Sequence, residues 1–160
     1  MKNNPNMTKT IFAAILAGVV STAVFASPSE RYPVSPLAWE ISVERVGDVL
    51  FRYVRFLSES EYPCLRLETF EPVGNLKLLS RQDICKIRIR NQVVDVRNDV
   101  SGSSFREFKL DGRVFSFVAD ITLKRPGSYY LNCKVVIADS GKLSEPTCKE
   151  GERPPDREDK

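Results

Sequence analysis

"RVFSFVADITLKRPGSYYLNCKVVIADSGKLSEPTC", residues 113–148, carries the clearest local structure in the chain. Phe115, Phe117, Ala119, Ile121 and Leu123 recur at every second position, with Ser116, Asp120 and Thr122 between them. Side chains of a strand point alternately to opposite faces, so this period marks a half-buried strand. Lys124-Arg125-Pro126-Gly127 turns the chain, and Tyr129, Leu131, Cys133, Val135 and Ile137 form the inward face of the next strand. By the same alternation Tyr130 points to the surface. Cys133 lies seven residues before Ser140, and Cys148 lies seven after Gly141. In a hairpin closed by two residues, positions equidistant from the loop face each other, which sets Cys133 opposite Cys148.

The first pair of cysteines obeys the same arithmetic. With Gly74-Asn75 as the loop, Cys64 and Cys85 each lie ten residues away. The symmetry favours disulfides 64–85 and 133–148; the main rival connectivity, 64–133 with 85–148, would link two sheets. Metal-binding thiols are disfavoured: no two cysteines stand in C-x2-C spacing and the chain has no histidine. One detail conflicts with simple pairing. Cys64 is in phase with Arg66 and Glu68, whereas Cys85 is in phase with Ile87 and Ile89. A bulge, or a helix within 75–83, has to resolve this. Asn75 is able to cap a short helix over Leu76–Gln82, so residues 76–83 stay open between helix and strand. Each local bridge closes a loop worth on the order of 3 kcal/mol, a structural role and not a catalytic one.

The remaining segments read as further strands. Trp39, Ile41 and Val43 alternate with Glu40, Ser42 and Glu44 and are expected to face the core. Asp48–Leu57 is aromatic and β-branched but alternates poorly, as a central strand covered on both faces or a bulged strand does. Leu65 and Leu67 face inward. Arg97–Ser104 (RNDVSGSS) reads as a polar loop. About seven strands, and no amphipathic helix of useful length, argue an all-β antiparallel β-sandwich with two disulfides, occupying residues 37–149.

The stretch from Ile121 to Pro146 also resembles the last three strands of immunoglobulin-like bacterial β-sandwich modules. The residues that carry the resemblance are Pro126 and Gly127 at a corner, Tyr129 at the strand opening, and Asp139 and Gly141 in the hairpin. It covers residues 114–148, implies the fold, and carries no activity with it.

The termini differ from this domain. Lys2 and Lys9 precede an apolar run, Ile11–Ala26, which ends on the small residues Val24 and Ala26; residues 1–26 read as a signal peptide cleaved after Ala26. Met7 offers a second, more compact start. The strongest apolar core, Ile11–Val20, is too short to span a bilayer. Residues 27–36 hold three prolines and read as an extended leader. Residues 150–160 read as a charged, disordered tail. Without Lys2 and Lys9 the 24 basic side chains fall to 22 against 21 acidic ones, so the formal net charge drops from +3 to +1. Nucleic acid is not an expected partner.

Histidine-dependent triads and the usual zinc sites are excluded by composition. Ser101–Ser104 lacks the glycines of a nucleophile elbow, and no phosphate-binding glycine motif occurs. No enzymatic activity, metal or cofactor is therefore expected. The one candidate site is an anion-binding patch of Lys86, Arg88 and Arg90, which share a strand face because burial of Ile87 and Ile89 turns all three outward; weak polyanion binding would follow. The expected function is that of a periplasmic or secreted binding protein with a protein or cell-surface partner, in an adhesion, assembly or accessory role. The alternative is an inhibitor of a hydrolase such as lysozyme or a protease. The mature chain should begin near Ser27, and terminal sequencing of soluble protein that returns an intact Ala13–Ala26 segment would refute the cleavage.

Overall fold

The computed structural model describes residues 37–57 and 62–153. Residues 1–36, on which the expected signal peptide and leader fall, and residues 154–160 of the expected tail lie outside the described residues. Strands β1 (Ala38–Val46), β2 (Val49–Phe56), β3 (Leu65–Phe70) and β4 (Leu78–Ile84) form one antiparallel sheet in that order. Strands β5 (Lys86–Ile89) and β6 (Gln92–Asp95) make a two-stranded ribbon. Strands β7 (Val100–Asp111), β8 (Val114–Leu123), β9 (Ser128–Val136) and β10 (Thr147–Glu150) form a second four-stranded sheet, in the order β10-β9-β8-β7. The fold is all-β, and no helix occurs among the described residues.

The core lies between the two larger sheets. Phe115, Phe117, Ala119 and Ile121 of β8, with Leu131, Cys133 and Val135 of β9, are all buried, as their alternation requires. From the first sheet Phe51 meets Phe115 at 4.9 Å between ring centroids, and Tyr53 meets Phe108 at 4.5 Å. Burying a side chain of this size contributes roughly 1.5–3 kcal/mol. β2 is covered on both faces: Phe51 and Tyr53 face the core, while Val54 and Phe56 are buried on the other side.

There are ten strands among the described residues where about seven were expected. Leu78–Ile84 is a strand, not a helix, and the run after Cys85 breaks into β5 and β6 at Arg90, whose φ is +52°. The largest correction is β7. Ser101–Ser104 belongs to a 12-residue strand, not a polar loop. A sheet edge asks only that the backbone pair with its neighbour and that one face supply some apolar contact. Phe105, Phe108 and Leu110 supply it, and two register shifts accommodate the rest, with Glu107 at φ +57° in the second. Each larger sheet joins strands consecutive in the chain, whereas immunoglobulin domains interleave strands between sheets.

Both disulfides are the local ones, Cys64–Cys85 and Cys133–Cys148. Cys133 and Cys148 are direct partners in the β9–β10 register. For the first pair the register Leu65↔Ile84 extends to the cysteines. The turn is not two residues long, however: the Glu71 N–H donates to the Lys77 carbonyl across an intervening loop (2.9 Å), and a bulge near Leu78 restores the register. The phase conflict is resolved at Cys85 itself. Its N–H donates to the Asp83 carbonyl (2.9 Å) and its carbonyl accepts from Val96 N–H (2.8 Å). This kink ends β4 and starts β5, so Cys85 is in phase with Cys64 on one side and with Ile87 on the other.

Three surface expectations change. Tyr130 is buried, not exposed: Arg106 lies over its ring at 5.4 Å and its hydroxyl donates to Glu107 (3.1 Å). The charged tail begins as structure, with Glu150 in β10, Gly151 N–H donating to the Tyr130 carbonyl (2.8 Å) and Arg153 paired with Asp120. In β1 the alternation holds but its faces are inverted. Trp39, Ile41 and Val43 are 65%, 47% and 56% exposed, while Glu40 and Ser42 are the half-buried residues. The cause is Tyr53, whose hydroxyl donates to Glu40 at 2.6 Å. Along Glu40–Ser42 the core ends at β2 and its margin needs an acceptor rather than an aliphatic side chain, while Val46 at the end of β1 is buried in the core.

Burial first, and the Glu40 carboxylate second, push the Tyr53 hydroxyl up to about 12. A raised folded-state value contributes stability that is complete below the unfolded value near 10 and is lost as pH rises through about 12. Alkaline unfolding curves of wild type should therefore fall over that interval more steeply than those of Tyr53→Phe. Parallel curves would show that Tyr53 does not carry the bond.

Candidate interaction surface on the first sheet

The outer face of the first sheet is set by register. Val43, Arg52, Glu68 and Arg81 stand in one cross-strand row, and Ile41, Val54, Arg66 and Asp83 in the next. Glu68 is completely buried although it lies on the outer face. Arg52 donates to one of its carboxylate oxygens (Nε to Oε2, 2.7 Å) and Arg81 to the other (Nε to Oε1, 2.8 Å). The Arg52 guanidinium also lies 4.8 Å from the centre of the Phe70 ring. In the next row Arg66 donates to Asp83 (2.8 Å) and rests on the rings of Tyr62 and Phe56. Long arginine stems thus roof the apolar residues Val54, Phe56 and Phe70, and their heads are consumed by carboxylates.

This paired charge leaves β1 as the apolar margin. Ile41 and Val43 share the outer face with Val54 and Arg52. A register shift between Ala38 and Glu40 takes Trp39 out of that phase and sets its ring 5.9 Å from the Arg55 guanidinium. Arg55 reaches across to the second sheet, donating to the Phe105 carbonyl (3.0 Å), and stands 3.5 Å from Glu40. A cleft of 250 Å³ opens here, lined by Trp39, Arg55, Leu57, Ser103 and Phe105 among others. Ligand pockets start at roughly 300 Å³, so the cleft suits a single side chain better than a carried ligand.

The three cations of the candidate anion patch keep the alternation expected of them: Lys86, Arg88 and Arg90 are exposed, and Ile87 and Ile89 are buried. They are not gathered into one free cluster. Lys86 is paired in register with Asp95, whose carboxyl is held down at about 2, chiefly because Arg97 hydrogen-bonds it (2.8 and 3.0 Å). Arg90 turns aside and makes two hydrogen bonds to Glu150 (2.7 and 2.9 Å). Arg88 stands opposite Val93. The four cysteines are buried or half-buried in the two bridges. No group of three or more metal-ligating side chains occurs among the described residues.

The outer-face row was not legible as a site from sequence. Its signal was Arg52 inside one apolar strand, and Arg66 and Glu68 inside another, positions where an unpaired charge would be costly.

Two ion pairs of the same chemistry should behave differently. Glu68 is fully buried between two arginines, so Glu68→Gln removes the buried negative charge that both of them bond and should destabilise by about 3–5 kcal/mol. Arg90→Gln breaks a pair on the surface and should leave the urea midpoint almost unmoved. Equal shifts in the two midpoints would contradict the burial argument.

Comparison with protein-family models, with curated proteins and with solved structures found no match to this chain.

Proposed function

We propose that the protein is an exported binding module whose working element is the free edge of β1. The observation that carries this reading is the contrast among sheet edges. β1 is nine residues long, no strand pairs with its far side among the described residues, and Ile41 and Val43 are exposed along it. The other edges of the two four-stranded sheets are blunted. Leu79 of β4 lies against Gly141 of the 138–143 turn. β7 has two register shifts and carries Arg106, Glu107 and Lys109. β10 has four residues and is tied to β9 by a disulfide. An unprotected apolar edge invites an added strand, and natural proteins retain one where pairing is wanted. The two disulfides fit folding in an oxidising compartment outside the cytoplasm. The role is one of adhesion, assembly or accessory binding at the periplasm or cell exterior, with a protein or cell-surface partner.

One observation favours a second reading, inhibition of a hydrolase. The loop between β3 and β4 is closed by the Glu71–Lys77 bond, and exposes Val73 at 78% and Leu76 at 48%. A projecting apolar tip on a braced hairpin is suited to entering a cleft.

A photo-crosslinking residue placed at Val43, at Val73 and at Lys134 separates the two. Irradiation of cells exporting each variant should give a discrete protein adduct from position 43 and none from 134. An adduct from position 73 alone would transfer the site to the loop; none from either would end the edge reading.

A further inference from the structure

We infer that the strand added to β1 is an extended segment in which apolar residues alternate with basic ones, an inference that rests on the edge reading above. An added strand places its side chains alternately on the two faces of β1. On the outer face it meets Ile41 and Val43, both exposed, and an apolar residue is the matching partner for each. On the other face it meets Glu40, Ser42 and Glu44. Glu40 is largely used, by the Tyr53 hydroxyl and Arg55. Glu44 is exposed and makes no ion pair among the described residues. Directly opposite positions bring Cβ atoms within about 5 Å, where unlike charges attract and like charges repel. A lysine or arginine opposite Glu44 is favoured and a carboxylate is rejected.

The same geometry disfavours a second copy of this chain as the occupant. Residues that meet on one face of an antiparallel pair of identical strands must both be even-numbered or both odd-numbered. The glutamates of β1 are Glu40 and Glu44, and its one cation is Arg45. No antiparallel β1–β1 register therefore sets a cation opposite either glutamate, and the register centred on Ser42 sets Glu40 against Glu44 twice. Arg45 lies on the outer face and leans back to donate to the Gly47 carbonyl (3.1 Å), so it leaves the apolar row to Ile41 and Val43.

The probe is a labelled peptide, Thr-Lys-Val-Thr-Ile-Lys-Val-Thr, compared with the same peptide carrying Glu in place of both Lys, on the mature protein with its disulfides intact. Binding is read by fluorescence anisotropy at low ionic strength, and its place by hydrogen-exchange protection of the β1 amides. The basic peptide should protect β1 and bind about tenfold more tightly than the acidic one, and Glu44→Lys should reverse that preference. Equal protection by both peptides would overturn the basic partner and leave the edge reading standing. Protection by neither would overturn both. Sedimentation showing a dimer of the protein alone, with its β1 amides protected, would make the second copy the occupant and overturn the inference.

Discussion

The contact between Phe51 and Phe115 is the one on which the rest of the architecture depends. Each ring belongs to a different sheet, and each is almost wholly buried. Packing them together requires β2 and β8 to commit one face to the core, and pairing then commits their neighbours in turn. β3 and β9 follow with Leu65, Leu67, Leu131 and Cys133. The commitment runs out at the edges. β1 offers the core Val46 at its end and the hydrogen bond from Tyr53 to Glu40, and β7 offers Phe105, Phe108 and Leu110 around its register shifts.

The two bridges brace this sandwich at different places. Cys133–Cys148 ties a four-residue edge strand that would otherwise have little to hold it. Cys64–Cys85 sits where the chain leaves the first sheet, at a kink that serves two pairings at once. The ribbon of β5 and β6 is in turn fastened to β10 by Arg90 and Glu150. Charge is used in the same way across the surface. Glu68 is held by two arginines where no water reaches it, and that makes it a requirement of the fold rather than a reactive group.

Because those charges are spent on one another, what remains available on the first sheet is apolar side chains at β1 and backbone that no strand among the described residues pairs. The free energy of a docking strand would come from main-chain hydrogen bonds, which any sequence supplies. Selection would come from the alternation of Ile41 and Val43 with Glu44. That division suits a module whose affinity is general and whose choice of partner is set by a few side chains.

The amino-acid sequence alone determined the class of fold and the core faces of β8 and β9, and it favoured both disulfides. The faces rest on local period, which survives any arrangement of the rest; the disulfides were read from symmetry about two-residue turns, and the first pair meets across the longer Glu71–Lys77 loop because a bulge restores the register. It also determined that Lys86, Arg88 and Arg90 face solvent, because Ile87 and Ile89 do not. It did not determine that β1 turns its apolar side outward. Alternation identifies two faces of a strand, but which one is buried depends on what the neighbouring strands present, and here that is the hydroxyl of Tyr53 on β2. Nor did it show β7, whose serine-rich half is held by β8 rather than by its own propensity. The pairing of Arg52 and Arg81 with Glu68 brings together three strands, and the turn of Arg90 to Glu150 joins residues 60 positions apart. Contacts of that kind are decided only when tertiary packing sets which strands are neighbours and which edge is left without one.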